Sequence, residues 1–319
     1  MKSFSLKVLR KIYKTFQYES TTTSSLEFDF CGQAASDFIK ESIGKGIPLM
    51  AARLGNVEMH IVVPYYLKTR YKTIQLIDKY IKCEIGPFWW DEKSRFALSN
   101  NAGFFPVENI EMLEKFSDLV LNDIREIDIL GSWTPYELTL SELLKQSTKV
   151  PMKDLEPYYH FDPWSKILEG KKVLVIYPFE KTIRQQYGKN KYLFKNKDIL
   201  PDFRLLTLKA IQSIGDNRPK IFEDWFAALD FMKKQITETD FDVALIGAGA
   251  YGLSLAAHVK KIGKIGIQLG GATQILFGIK GTRWENHPEI SKLFNKYWVR
   301  PLGVDTPQGY QNIENGCYW

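Results

Sequence analysis

Two periods of apolar and polar residues alternate along the chain. Short runs dominated by apolar, often β-branched residues read as strands buried on both faces: Ile47 to Arg53, Ile127 to Leu130, Lys172 to Tyr177, Phe241 to Ile246 and Lys264 to Leu269. Arg204 to Leu208 is a further strand candidate. Between them lie segments of helical length or spacing: Asn56 to Leu67, Tyr136 to Lys145, Lys181 to Tyr187, Glu223 to Ile236 and Leu253 to Lys261. Strands alternating with helices predict βαβ units. The expected fold class is α/β, a Rossmann-like, mostly parallel sheet with helices on both faces. In such sheets ligands bind beyond the carboxyl ends of strands, which directs attention to the loops after Tyr177, Ile246 and Leu269.

The organisation expected is tripartite. The first part is 1–25, a helix and its linker: over Met1 to Gln17, Leu6, Leu9, Ile12, Tyr13 and Phe16 fall at helical spacing, and Lys2, Lys7, Arg10, Lys11 and Lys14 accompany them without an acid. Such a helix either lies on an anionic membrane face or packs on the body with a solvated basic side. A polar stretch, 18–25, follows as a linker. Pro151, Pro157 and Pro163 punctuate the region from Lys149 to Gly170, where a boundary is expected between an N-terminal α/β lobe, 26–170, and a nucleotide-binding lobe, 171–319.

Composition narrows the function classes. The 319 residues are 45% apolar, 25% charged and 14% aromatic, with a net charge of +6. That balance suits phosphorylated substrates or an anionic surface. No run of five basic residues and no nucleic-acid module is legible, so nucleic acid is not an expected partner. Cys31, Cys83 and Cys317 lack the spacing of a disulfide framework or a zinc site. With no stretch of eighteen apolar residues, the expectation is a cytoplasmic protein that reaches the inner face of a membrane through residues 1–17. No HExxH motif or Ser-His-Asp order points to hydrolysis.

Gly247-Ala-Gly-Ala-Tyr-Gly252 matches GxGxxG directly after a strand and at the start of a helix. Glycines there permit a tight turn and close backbone approach, and the helix N-terminus offers N–H groups to a phosphate; the alternative is a turn whose glycines serve packing. A nicotinamide dinucleotide site also requires an acidic residue about twenty positions on. No Asp or Glu occurs between Asp242 and Glu285, and the next strand ends in Gln268-Leu-Gly270-Gly271. The loop therefore favours a diphosphate ligand other than NAD, with Gly247, Gly249, Gly252, Gln268, Gly270 and Gly271 as candidate binding residues.

Arg53-Leu-Gly-Asn-Val-Glu58, at the end of one strand and the start of a helix, resembles the R-x-G-D-G-E segment of GT-D-fold glycosyltransferases. The stretch from Phe241 through Gly271 resembles that family's last βαβ unit. Leu269 to Trp284 is similar to a branch associated with surface or capsular polysaccharide synthesis. The resemblance implies a GT-D-like fold and donor site, with Arg53 and Glu58 catalytic. It also implies a Mn²⁺ or Mg²⁺ ion held by the acidic triplet, here Asn56-Val-Glu58. Asn56 replaces the family's aspartate, and an amide oxygen brings no charge to a hard cation. Read without the family, Asn56 is a helix cap and Glu58 a first-turn acid favourable to the helix dipole.

Glu180, beyond the strand ending at Tyr177, is a further catalytic candidate, as base toward an acceptor hydroxyl or as a cap of the next helix. His60, Asp91, Asn100, Asn101 and His258 carry no assigned role. The function expected is transfer of a hexose from a nucleotide-diphosphate donor, most simply a UDP-sugar, to a glycan or lipid-linked acceptor. An NADP-linked oxidoreductase and a non-catalytic nucleotide-sugar binder are the alternatives.

Overall fold

The computed structural model describes residues 3–16, 25–215 and 217–319. Seven strands, β1 Leu49–Ala52, β2 Ile129–Ser132, β3 Thr148–Pro151, β4 Lys172–Tyr177, β5 Arg204–Lys209, β6 Val243–Ile246 and β7 Ile265–Gln268, form one sheet in the order β3-β2-β1-β7-β6-β4-β5. Every pairing is parallel. The helices are α1 Ser3–Phe16, α2 Gln33–Gly44, α3 Asn56–Arg70, α4 Thr73–Ile81, α5 Glu92–Asn100, α6 Ile110–Ile124 and α7 Tyr136–Thr139 in the first half. Then come α8 Glu180–Tyr187, α9 Asn190–Leu193, α10 Trp225–Thr237, α11 Tyr251–Lys261, α12 Ala272–Leu276 and α13 Thr282–Glu285.

Successive strand residues face opposite sides, and helices bury both. Met50, Ala52, Leu130, Leu174, Ile176, Ala244 and Ile246 pack in one core with α3, α6, α10 and α11. Leu49, Ala51, Ile129, Val173, Val175, Val243, Leu245, Ile265 and Ile267 pack in the other with α2, α8 and α12. This two-sided burial is why the strands carry unbroken apolar runs. The steps from β1 to β2 and from β6 to β7 run the same way across the sheet and place their helices on the first face. The step from β4 to β5 runs the other way and places α8 on the second, as a single crossover handedness requires.

The halves on either side of residue 170 share one sheet. Ala51 of β1 lies opposite Ile267 of β7, so 26–170 and 171–319 supply the two sides of one sheet. Thr148–Pro151, inside the Pro-rich segment, is β3, with Thr148 opposite Ile129. Pro151 is its last residue, on an edge strand where a missing N–H breaks little of the ladder. The helix expected over Tyr136 to Lys145 is limited to the four residues of α7. Helices α2, α4, α5 and α6 appear where no element was expected. Side chains cap two of these: Asp91 accepts from the Ser94 amide at 2.9 Å, and Asn109 from the Met112 amide at 3.3 Å.

Helix α1 is docked on the body. Leu6 is buried, and the Arg10 guanidinium stands 4.4 Å from the Tyr80 ring centroid of α4. Met1, Lys2, Gln17 and most of the linker, 18–24, lie outside the described residues. Among the described residues no helix is long and apolar enough to cross a membrane.

Candidate functional site

At the carboxyl edge of the sheet the chain leaves neighbouring strands toward opposite faces. After β1 it enters α3 on the first face, after β7 α12 on the second, after β6 α11 on the first and after β4 α8 on the second. Loops that diverge this way leave a crevice between them. A cavity of about 820 Å³ fills it, within the range of roughly 300–1,000 Å³ usual for small-molecule sites. Segments following all seven strands line it, from Arg53–Glu58, Trp133 and Met152 to Tyr177–Phe179, Ile211–Ile214, Gly247–Gly249 and Gly270–Ala272.

Arg53 is the first residue beyond β1, and contacts with Gln268, Met152 and Gly270 position it. Its backbone N–H donates to Gln268 Oε1 at 2.9 Å, and Nη1 contacts the Met152 sulfur at 3.1 Å. The guanidinium lies against Gly270, where a Cβ would stand 2.3 Å from Nη2. Gly270 also holds φ +59°, a left-handed conformation. Gln268 in turn packs over Gly252, whose absent Cβ would lie 3.3 Å from the Gln268 amide nitrogen. The two motifs of the sequence thus meet: Gly252 leaves room for Gln268, and Gln268 and Gly270 set Arg53. Among the described residues no carboxylate pairs with this guanidinium within 4.0 Å. Its positive field reaches both Glu58 and Glu156.

The glycine loop lines the cavity, but its glycines serve the protein first. A Cβ on Gly247 would meet the Gly270 carbonyl and the Tyr177 ring, and one on Gly249 (φ +53°) would lie 2.9 Å from the Ala102 carbonyl. That carbonyl also accepts from the Ala250 amide at 3.0 Å. It therefore occupies part of the helix N-terminus where a dinucleotide pyrophosphate would sit. The amides of Gly247, Tyr251 and Gly252 are likewise engaged within the protein. Among the described residues the Ala248 and Gly249 amides make no hydrogen bond, and both residues line the cavity, so at most two donors remain to the loop instead of a full cradle.

Gly55, not Asn56, is the N-cap of α3, and Asn56 is its first residue. Asn56 lines the cavity with its side-chain oxygen accepting from the Thr134 hydroxyl at 2.9 Å. Glu58 folds back over the turn, its carboxyl against Gly55. Desolvation within this enclosed floor pushes its pKa upward; the pull of Arg53 opposes this only in part, and Glu314 adds to the rise. Glu156 is raised too, by burial, despite accepting a hydrogen bond from the Tyr158 hydroxyl and facing Arg53. As metal ligands Asn56 and Glu58 supply a single carboxylate. Among the described residues no group of three or more His, Cys, Asp or Glu is placed to hold an ion. A hard cation held by them would draw its remaining ligands from water or a bound diphosphate.

Glu180 is not in the cavity. It opens α8, where one carboxylate oxygen accepts from Thr207 at 2.7 Å and from Arg184 at 3.0 Å, tying the helix to β5. From there Glu180 is not placed to act as a base on a ligand in the cavity. Of the residues without a role, Asn101 lines the cavity, Asp91 caps α5, and His258 bonds to Thr237 and the Lys233 carbonyl. Sequence reasoning missed Glu156, Trp133, Tyr159, Arg283, Glu314 and Tyr318, which complete the walls. The last three converge from the C-terminal segment: Arg283 donates to the Tyr318 hydroxyl at 2.9 Å and lies 3.6 Å from the Glu314 carboxylate. The motif ending in Trp284 held the one available signal, because Arg283 lies inside it.

Comparison of the chain with protein-family models, with curated proteins and with solved structures gives no match. The α/β fold with its parallel sheet stands on the structure itself.

Proposed function

We propose that the protein is a glycosyltransferase that moves a hexose from a nucleoside-diphosphate donor, a UDP-sugar, to a hydroxyl of a glycan or lipid-linked acceptor. The observation that carries this reading is Arg53, unpaired among the described residues and held by Gln268, Met152 and Gly270 in an aromatic-walled cavity beside carboxyls of raised pKa. A diphosphate is the complement of such a guanidinium, which binds two oxygens at once. Arg53, Arg283 and the Ala248 and Gly249 amides stabilise the charge that grows on the departing diphosphate. Trp133, Tyr159, Trp284 and Tyr318 offer faces on which a base and a sugar stack.

In the reaction the acceptor oxygen bonds to the anomeric carbon as the bond from that carbon to the diphosphate oxygen breaks, its electron pair leaving with the phosphate. Glu58, as the carboxylate, takes the proton that the acceptor hydroxyl loses. A raised pKa makes it a stronger base than an ordinary glutamate. A nicotinamide site is disfavoured: the Ala102 carbonyl occupies the helix N-terminus, and Gln268 is committed to Arg53.

The test is a panel of UDP-sugars scored by melting temperature and by UDP release, with and without EDTA. UDP-sugars should raise the melting temperature, and Arg53→Ala should abolish that rise. A rise with NADP(H) instead would replace this reading with the oxidoreductase one. A rise without UDP release from any acceptor would leave a binding protein.

A further inference from the structure

We infer that α1 docks the protein on an anionic lipid surface. This proposal is independent of the chemistry in the cavity. One side of α1 is fixed to the body: Leu6 is 4% exposed, and Arg10 both stacks on Tyr80 and donates to the Ile85 carbonyl at 2.6 Å. The side turned away carries Phe4, Val8, Leu9, Ile12 and Phe16, between 40% and 83% exposed. At 3.6 residues per turn these five cover an arc of roughly 140°, in which Phe4, Val8, Ile12 and Phe16 form an apolar row beside the exposed Ser5 and Thr15. Single exposed apolar residues are ordinary, but a contiguous stripe on one helix marks an interaction site.

Charge identifies the occupant. Lys7, Lys11 and Lys14 are exposed along the flank between the stripe and the body, and α1 contains no acid. An apolar stripe bordered by lysines matches the boundary between acyl chains and anionic headgroups, with lysine stems lying along the apolar layer and ammonium groups reaching phosphate. A second copy fits worse. Five side chains on fourteen residues fall short of the roughly 800 Å² per partner that stable interfaces bury. Apposed copies would also bring their lysines together.

Co-sedimentation of the full chain with phosphatidylcholine vesicles, with and without phosphatidylserine, tests this. Binding is expected with phosphatidylserine and should fall in high salt. Lys7→Glu with Lys11→Glu and Lys14→Glu should weaken it by a hundredfold or so, on the order of tenfold or less per lysine. Phe4→Ser with Ile12→Ser and Phe16→Ser should abolish it. All these side chains are exposed, so melting temperature and UDP-sugar binding should hold, which separates a failure here from a failure of the cavity reading. Absence of wild-type binding to phosphatidylserine vesicles, or equal binding by both variants, overturns the proposal. Loss of a concentration-dependent dimer in the serine variant would assign the stripe to self-association instead.

Discussion

Gly270→Ala tests the link between the β7 turn and Arg53 with the smallest change available. The added methyl meets two costs. A non-glycine residue at φ +59° costs about 1–2 kcal/mol in backbone strain. The new Cβ would also stand 2.3 Å from Arg53 Nη2, so the guanidinium must swing aside by about 1 Å or more to reach ordinary contact. For a protein of this size the strain corresponds to a fall in melting temperature of roughly 1.5–3 °C. A charge-assisted contact is worth about 1.5–3 kcal/mol, so UDP should bind roughly ten- to a hundredfold more weakly. Calorimetry of UDP binding and thermal melting of Gly270→Ala, Arg53→Ala and the double variant are the assays. Both changes act through one guanidinium, so the double variant should lose no more affinity than Arg53→Ala alone. Wild-type affinity in Gly270→Ala, or losses that add in the double variant, would refute the reasoning that Gly270 acts by positioning Arg53.

Glu58→Gln should abolish turnover and with it the acid limb of the pH–rate profile, a limb lying above the ordinary glutamate value of 4.5 because desolvation raises this carboxyl. The stability sign follows. A carboxyl raised in the folded state stabilises the fold below its unfolded pKa, and that contribution is lost as pH rises through the folded pKa. Glu58→Gln should therefore melt higher than wild type at neutral pH, with the advantage vanishing in acid; a lower melting point at neutral pH would return Glu58 to a helix-dipole role. Gly249→Val should lower the melting temperature through the Ala102 clash and the left-handed φ, so a well-folded variant that merely fails to bind UDP would contradict the packing role of this glycine. Glu180→Ala should turn over normally, with a small loss of stability read by thermal melting, because its carboxylate bonds to Thr207 and Arg184, away from the cavity.

The strands were legible because burial on both faces writes an unbroken apolar run, as at Lys172–Tyr177 and Val243–Ile246. Helices α2, α4, α5 and α6 were not, because α2 precedes the first strand and the other three are additional helices within the single crossover from β1 to β2. The strand in the Pro-rich segment was not legible, since prolines stand at its end and in the turns after it. Glu180 illustrates a different limit. Its place one residue beyond the cavity-lining Phe179 is visible in sequence, but which way a side chain points from the first turn of a helix is not.

By itself the sequence determined the α/β class, the strand-turn-helix context of Gly247–Gly252 and Arg53–Glu58, and the basic amphipathic character of α1. These follow from periodicity and residue type, which act locally. Tertiary structure decided that the two motifs belong to one site, because β1 pairs with β7 across 216 residues of chain separating Ala51 from Ile267. It also decided the use of each glycine. Local sequence specifies that a Cβ is absent, while only the packed fold shows that the Ala102 carbonyl, Gln268 and Arg53 fill the space it leaves.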